Sequence, residues 1–311
     1  MAGQSTATTL EKQATKLEQL WLELHSKRPE VLYHYTDAQG LLGMLNSHKL
    51  WATNRRFMND PTEAEYAANT IRNVVENHRD QYETGLFEKV KAGVELILKL
   101  YLEQDEHYLA CFCENGDLLS QWRGYGSVGG GYAMGFVADS LGLILYQSPD
   151  KPEPVLRKVL YKTKQQTELT GQWVKFIFDW ESFRRRAAPK KDIDIEINDF
   201  GWTALNWFIS QSVRCFKHPA YEEEQEWRVI QIGTTPEGAR AVEPEFRASR
   251  RGVVEYVKLD LPTNEKKLPL KVICYGPTLD PTVTDRSLRL LCRGKGYDHV
   301  EINKSIVPFA G

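Results

Sequence analysis

Tyr221-Glu222-Glu223-Glu224-Gln225-Glu226-Trp227-Arg228-Val229-Ile230 is the stretch whose reading decides the fold. Its second half is rich in β-formers and runs into Gly233-Thr234-Thr235-Pro236, a turn, so it reads as a strand. A strand that begins near Glu224 sets Glu224 and Glu226 on one face, with Arg228 behind them, because side chains alternate with period two. Neighbouring carboxylates repel one another, an arrangement that is costly as scaffolding and useful as chemistry. Two plainer readings stand beside the chemical one. The run is also a solvated acidic edge strand that discourages sheet-to-sheet pairing, or a salt-bridge network in which Arg123 and Arg228 neutralise the glutamates.

Working outward, short apolar runs bounded by turn residues predict strands at Val31–Thr36, Lys49–Thr53, Tyr108–Cys113, Tyr132–Val137, Val155–Tyr161, Val253–Leu259, Leu270–Tyr275 and Val300–Ile306. Leu17, Leu20, Trp21 and Leu24 recur at helical spacing within a helix expected over about Leu10–Lys27. Further helices are expected after Asp37, which caps the first, and around Glu63–Asn77, Gly85–Leu102, Asp117–Tyr125, Trp173–Arg185, Trp202–Phe216 and Asp285–Arg293. In Asn59-Asp60-Pro61 with Glu63, Asp60 reads as a cap and Pro61 as the first helical residue. Strands and helices mix without regular alternation, which argues α+β. The economical division is an N-terminal helical extension, 1–28, and one compact mixed-sheet domain, 29–311.

A chain of 311 residues buries a sizeable core, and 41% hydrophobic with 26% charged residues is ordinary for a globular protein. The formal net charge of −2 gives no overall field toward nucleic acid or an anionic membrane. Local basic clusters remain: Arg184-Arg185-Arg186 with Lys190-Lys191, and Arg247 with Arg250-Arg251. The N-terminus shows no secretory pattern, no stretch has the length of an apolar span, and the five cysteines are an odd number in apolar surroundings. Together these point to reduced thiols and a cytoplasmic protein.

Four segments in this order resemble a widespread bacterial family catalogued as a domain of unknown function. They are Leu32-Tyr33-His34-Tyr35-Thr36; Leu50-Trp51 followed by Phe57-Met58-Asn59-Asp60-Pro61 and Glu63; Cys111-Phe112-Cys113-Glu114 with Leu119-Ser120-Gln121-Trp122-Arg123-Gly124-Tyr125; and Lys217-His218-Pro219 followed by Glu224 through Arg228. The resemblance runs from about Val31 to Pro308. A looser one is to ADP-ribosyltransferases, through His34-x-Thr36 on a first strand and Glu224-x-Glu226 on a late one. Cys111-Phe112-Cys113 stands where some of those enzymes carry Ser-Thr-Ser, a departure.

The second resemblance implies an ADP-ribosyltransferase-like fold and NAD as substrate. It implies that His34 and Thr36 hold a ribose, that Glu226 faces the ribose whose bond to nicotinamide breaks, and that Glu224 faces the acceptor. His218 and Tyr221 fall in the acceptor-recognition segment. Such a bond breaks through an oxocarbenium-like state, which a fixed carboxylate stabilises. Trp51, Trp122, Tyr125 and Tyr132 are the flat side chains able to stack on nicotinamide. Arg123 suits the pyrophosphate, and Gly129-Gly130-Gly131 suits close backbone approach to phosphate or a plain hairpin turn. The acceptor, protein or nucleic acid, and the choice between transfer and hydrolysis are left open; a toxin or antiphage effector is the expected context. No metal is expected in this chemistry.

Three other readings are carried. A nucleotide- or nucleic-acid-binding module without catalysis uses the arginine clusters. A metal-dependent nuclease uses Asp60, Glu63, Glu224 and Glu226. A zinc site draws on His107, Cys111, Cys113, Cys215 and His218, at a spacing that matches no common finger.

Overall fold

The computed structural model describes residues 2–58, 62–125, 130–141, 154–187, 199–234, 240–249, 252–261 and 267–308. It is a mixed α/β structure whose strands join one sheet and whose chain begins with a helix. Contacts divide it into two compact units. The first comprises 1–26, 60–105 and 159–221, and the second 27–59, 106–158 and 222–311. This cut differs from the sequence division into 1–28 and 29–311, because the N-terminal helix buries its apolar stripe within the first unit.

The first unit is helical: α1 (Ala2–Leu24), α3 (Glu63–Glu76), α4 (Thr84–Glu103), α6 (Thr163–Ala187) and α7 (Phe200–Cys215). Trp21 of α1 is fully buried and meets Phe208 edge-on at 5.7 Å, and Trp173 of α6 stacks on Phe208 at 5.3 Å. Helices that each carry an aromatic stripe bury it against one another, and this packing holds α1 in the bundle. Glu181 of α6 is wholly buried, so it needs partners. It accepts from Trp202 Nε1 at 2.7 Å and Arg184 Nη1 at 3.0 Å, with Lys89 Nζ 2.9 Å away.

The second unit holds the ten strands: β1 (Val31–Thr36), β2 (Leu50–Asn54), β3 (His107–Cys113), β4 (Tyr132–Val137), β5 (Val155–Lys158), β6 (Glu226–Ile232), β7 (Glu245–Ser249), β8 (Gly252–Leu259), β9 (Leu270–Tyr275) and β10 (Glu301–Lys304). Among the described residues three α-helices accompany them: α2 (Ala38–Ser47), α5 (Leu119–Tyr125) and α8 (Pro281–Gly294). Asp37 caps α2 as expected, accepting from Gly40 N at 2.8 Å. Asp60 and Pro61 lie outside the described residues, and Thr62 stands at the N-cap of α3.

Strand β3 organises this unit. One edge pairs with β6 along its whole length, from His107↔Ile232 to Cys113↔Glu226. Its other edge is shared by β2, through Thr53↔Leu109 and Asn54↔Tyr108, and by β1, through Tyr33↔Cys113 alone. Beyond these pairs β1 turns to β4 and β2 to β8. The sheet therefore forks. One arm runs β1-β4-β9-β10 and the other β2-β8-β7.

Continuing either register shows where the fork opens. Antiparallel pairing from Tyr33↔Cys113 would next set Tyr35 opposite Cys111, and pairing from Thr53↔Leu109 would set Trp51 opposite the same residue. Neither pair forms. Behind the fork lies the main core, where Ala52, Ala110, Phe112, Trp227, Val229 and Val257 come together from β2, β3, β6 and β8. By the period-two rule the other face of those strands carries Thr53, Leu109, Cys111, Cys113, Glu226 and Arg228.

Candidate functional site

That second face is the wall of a cavity of about 410 Å³, lined wholly by the β-rich unit. A cavity of this size falls in the range of small-ligand sites. From β1 it takes Tyr33 through Thr36, and from β2 Trp51 and Thr53. Leu109, Cys111 and Cys113 of β3 continue the wall, then Glu224 and Glu226, with Arg247 of β7 and Val254 of β8 at the far side. His34, Thr36, Trp51, Glu224 and Glu226, separated by up to 192 positions in the chain, are thus brought together.

His34 stands at the apex of the fork. Its Nδ1 lies 2.8 Å from the carbonyl oxygen of Cys111, at the position where β1 and β2 part from β3. A carbonyl only accepts, so Nδ1 is the protonated nitrogen and Nε2 carries a lone pair. Burial pulls the imidazole pKa down to about 4; the bond to Cys111 opposes the shift and nearby Arg247 adds to it. His34 is neutral at physiological pH, a hydrogen-bond acceptor at Nε2.

Glu226 opens β6 and is buried. Arg228, two residues on and on the same face, grips it bidentately: Nε to Oε1 at 2.8 Å and Nη2 to Oε2 at 2.8 Å. Of the readings of the acidic stretch, an ion pair with Arg228 is therefore realised for Glu226, at the cavity wall. Glu224 is not on the strand. It ends a 3₁₀ turn (Pro219–Glu224), and Gln225, at φ 44, takes the left-handed conformation that breaks the pleat between the two glutamates. The expected shared strand face is corrected accordingly, although both residues line the cavity.

Burial pushes the Cys113 thiol up to about 11, and the charges of Glu114, Glu224 and Glu226 push the same way against a bond from Asn115 N. Trp51 donates from Nε1 to Ser47 Oγ at 3.3 Å, and its ring lies 4.6 Å from that of Tyr256.

Several expected site residues stand elsewhere. Trp122 is fully buried, donates to Asp117 Oδ1 at 2.7 Å and meets Tyr35 edge-on at 4.9 Å; it is core, with no face for a ligand. Arg123 is exposed and does not line the cavity, because α5 turns Gln121 and Gly124 toward it instead. The side chain of Tyr125 and residue Gly129 lie outside the described residues, and Tyr132 is not among the lining residues. His218 and Tyr221 belong to the helical unit. There the His218 Nδ1 accepts from Ala220 N at 3.1 Å, and Tyr221 faces Lys217 Nζ at 4.9 Å.

The basic cluster expected to meet nucleic acid is engaged within its own unit. Arg184 pairs with Glu181, and Arg185 with Glu83 at 2.9 Å; Lys190 and Lys191 lie outside the described residues. Among the described residues no three His, Cys, Asp or Glu side chains converge as a metal site. The zinc set is therefore not assembled: Cys215 and His218 fall in the helical unit, and His107, Cys111 and Cys113 in the other. For the nuclease set, Asp60 is outside the described residues and Glu63 is paired with Lys217 at 2.9 Å. All five cysteines are free thiols. No described helix is long and apolar enough to cross a membrane.

Arg247 is the lining residue whose place was not foreseen. The sequence shows it only as part of a basic cluster, because β7 reads poorly as a strand. The available signal was Gly252, a turn residue just before the apolar run Val253–Leu259.

Residues 121–229 match the profile of a family described as "Protein of unknown function (DUF2971)". The matched stretch includes Gln121, Glu224 and Glu226 of the cavity. It supports, over that part of the chain, the likeness to a domain-of-unknown-function family. No curated protein and no solved structure matches the chain.

Proposed function

We propose that the β-rich unit is an ADP-ribosyltransferase-like domain that binds NAD in the fork cavity and breaks its nicotinamide–ribose bond. The observation that carries this reading is the gathering of His34, Thr36, Trp51, Glu224 and Glu226 on one cavity. In this scheme the C–N bond opens, its electron pair leaves with nicotinamide, and positive charge develops on the ribose. Glu226, held in orientation by Arg228, stabilises that charge. A nucleophile, either an acceptor side chain or base of a macromolecule or a water, then bonds to the ribose carbon, and Glu224 takes its proton. Neutral His34 accepts a hydrogen bond from a ribose hydroxyl at Nε2, and Thr36 lies two residues along the same strand face. Trp51 supplies the flat apolar wall.

The test is nicotinamide release from NAD by the full chain, with Glu226→Gln as comparison and thermal melts to show that both are folded. Loss of the carboxylate is expected to slow release by about 10²–10³-fold. Equal turnover in the two proteins removes Glu226 from the mechanism. Absence of release and of NAD binding in the unaltered chain removes the reading altogether.

A further inference from the structure

Arginines buried in a protein are ordinarily matched to a carboxylate, as Arg228 is matched to Glu226 and Arg214 to Asp105. Arg247 is not. It projects from β7 into the cavity on the same face as Val254 and Tyr256 of β8. Its Nη2 donates to Thr53 Oγ1 at 2.9 Å, and this is its one hydrogen bond among the described residues. Among its side-chain donors, Nε is buried with no acceptor, while the backbone of Arg247 pairs with β8. The guanidinium carbon lies 5.5 Å from the centre of the Trp51 ring and 5.6 Å from that of Tyr256, so two aromatic faces hold it in place. Burial lowers its pKa from the usual value, while the charge of Asp37, another lining residue, opposes the shift.

A half-buried guanidinium whose Nε–H is buried and unanswered, at a cavity wall, is a preorganised seat for an anion. Its aromatic neighbours and Thr53 fix the plane of the fork before the ligand arrives, so little side-chain entropy is lost on binding. A planar fork of donors matches the oxygens of phosphate bidentately. The same cavity offers the lone pair of His34 Nε2, an acceptor for a hydroxyl.

From this juxtaposition we infer that Arg247 is the anion-recognising residue of the cavity, and that its ligand carries a phosphate or pyrophosphate beside a hydroxyl-bearing sugar. The inference takes over the pyrophosphate role that Arg123 was expected to fill. It deepens the proposed function but rests on it only for the sugar; the anion seat stands on the geometry of Arg247 alone.

The experiment is calorimetric titration of the full chain with inorganic pyrophosphate, and separately with ADP-ribose. It uses the unaltered protein, Arg247→Gln, Arg247→Lys and Thr53→Val. Removing the charge in Arg247→Gln is expected to weaken pyrophosphate binding about 10- to 100-fold, the loss typical of a charge-assisted hydrogen-bonded contact. Arg247→Lys retains the charge without the fork and is expected to fall between the two. Thr53→Val, which keeps the strand and the arginine, is expected to weaken binding by less than Arg247→Gln.

Three results overturn the inference: no pyrophosphate binding by the unaltered chain, equal binding by it and a folded Arg247→Gln, or malonate binding as tightly as pyrophosphate. The outcomes separate from those of the NAD reading. Pyrophosphate binding that needs Arg247, with NAD left uncleaved, keeps this inference and removes the other. NAD cleavage with an unchanged KM in Arg247→Gln does the reverse.

Discussion

The imidazole of His34 takes up the Cys111 carbonyl at 2.8 Å, doing for β3 what a ladder bond would have done had β1 or β2 stayed in register. The carbonyl at the apex of the fork is thus satisfied, and the histidine is held with its proton on Nδ1. Its pKa of about 4 lies below its ordinary value of 6.5, so the fold favours the neutral ring. The contribution to stability is complete above about pH 6.5 and is lost as pH falls toward about 4, amounting to about 3 kcal/mol at most. Urea midpoints measured between those limits should fall more steeply for the unaltered chain than for His34→Asn, which donates to the carbonyl without titrating. Parallel pH profiles would show that His34 is protonated normally.

Arg228 and Glu226 are both buried and joined by two hydrogen bonds, so replacing one takes this bidentate ion pair from the other. Arg228→Met is expected to cost about 3–5 kcal/mol, and the double variant Arg228→Met/Glu226→Gln to recover part of that loss. Denaturant unfolding of the four proteins of this cycle measures the coupling. Additive losses would mean that the two side chains hold the fold independently.

Much of the β-rich unit was legible in short-range pattern. Val31–Thr36, Tyr132–Val137 and Leu270–Tyr275 form the strands their alternation predicts, and Asp37 caps the helix that follows β1. His34 and Thr36, which β1 carries to the cavity, were singled out through a resemblance and not through that pattern. What escaped depends on long-range pairing. Nothing local in Leu50–Asn54 or Val31–Thr36 says that both strands abandon β3 at the same residue, and the cavity exists because they do. Arg247 escaped because β7 is a largely exposed strand, Glu-Phe-Arg-Ala-Ser, whose strand pairing among the described residues is to β8 alone. Trp122 was expected among the stacking residues, but its apolar bulk fills the core beside Tyr35 while Arg123 faces out. Glu224 was misplaced because one left-handed residue, Gln225, shifts where the strand begins.

Cys113 and Cys274 are buried thiols whose pKa values are pushed up, Cys113 to about 11 and Cys274 to about 12, by burial first and by nearby acids second. The thiolate is the reactive form, so neither should modify at neutral pH in the folded protein. Mass spectrometry after a brief iodoacetamide pulse at about pH 7.5 should find both unlabelled in the native chain and labelled in guanidinium. Native labelling of Cys113 as fast as that of a free thiol would show that the cavity wall around Glu226 opens readily.

Gly43 of α2 supports the cavity from behind. A β-carbon at that position would stand 1.9 Å from Cη2 of Trp51, with two further ring atoms under 3.0 Å, so the indole must move. Two effects of Gly43→Ala oppose one another. Alanine favours the helix by about 1 kcal/mol, whereas forcing a ring from a packed site costs about 1–3 kcal/mol. The clash is with a rigid bicyclic ring tied to Ser47 and flanked by Tyr256 and Arg247, so displacement should win and Gly43→Ala should melt lower. Moving the indole also removes one of the two aromatic faces that hold Arg247. Pyrophosphate affinity should therefore fall in Gly43→Ala although no atom that contacts the anion has changed. A shift in tryptophan emission that is absent when Trp51 is first replaced by Phe would trace the effect to that ring. A higher melting temperature with unaltered emission would mean that the ring adjusts freely and that the seat of Arg247 does not depend on it.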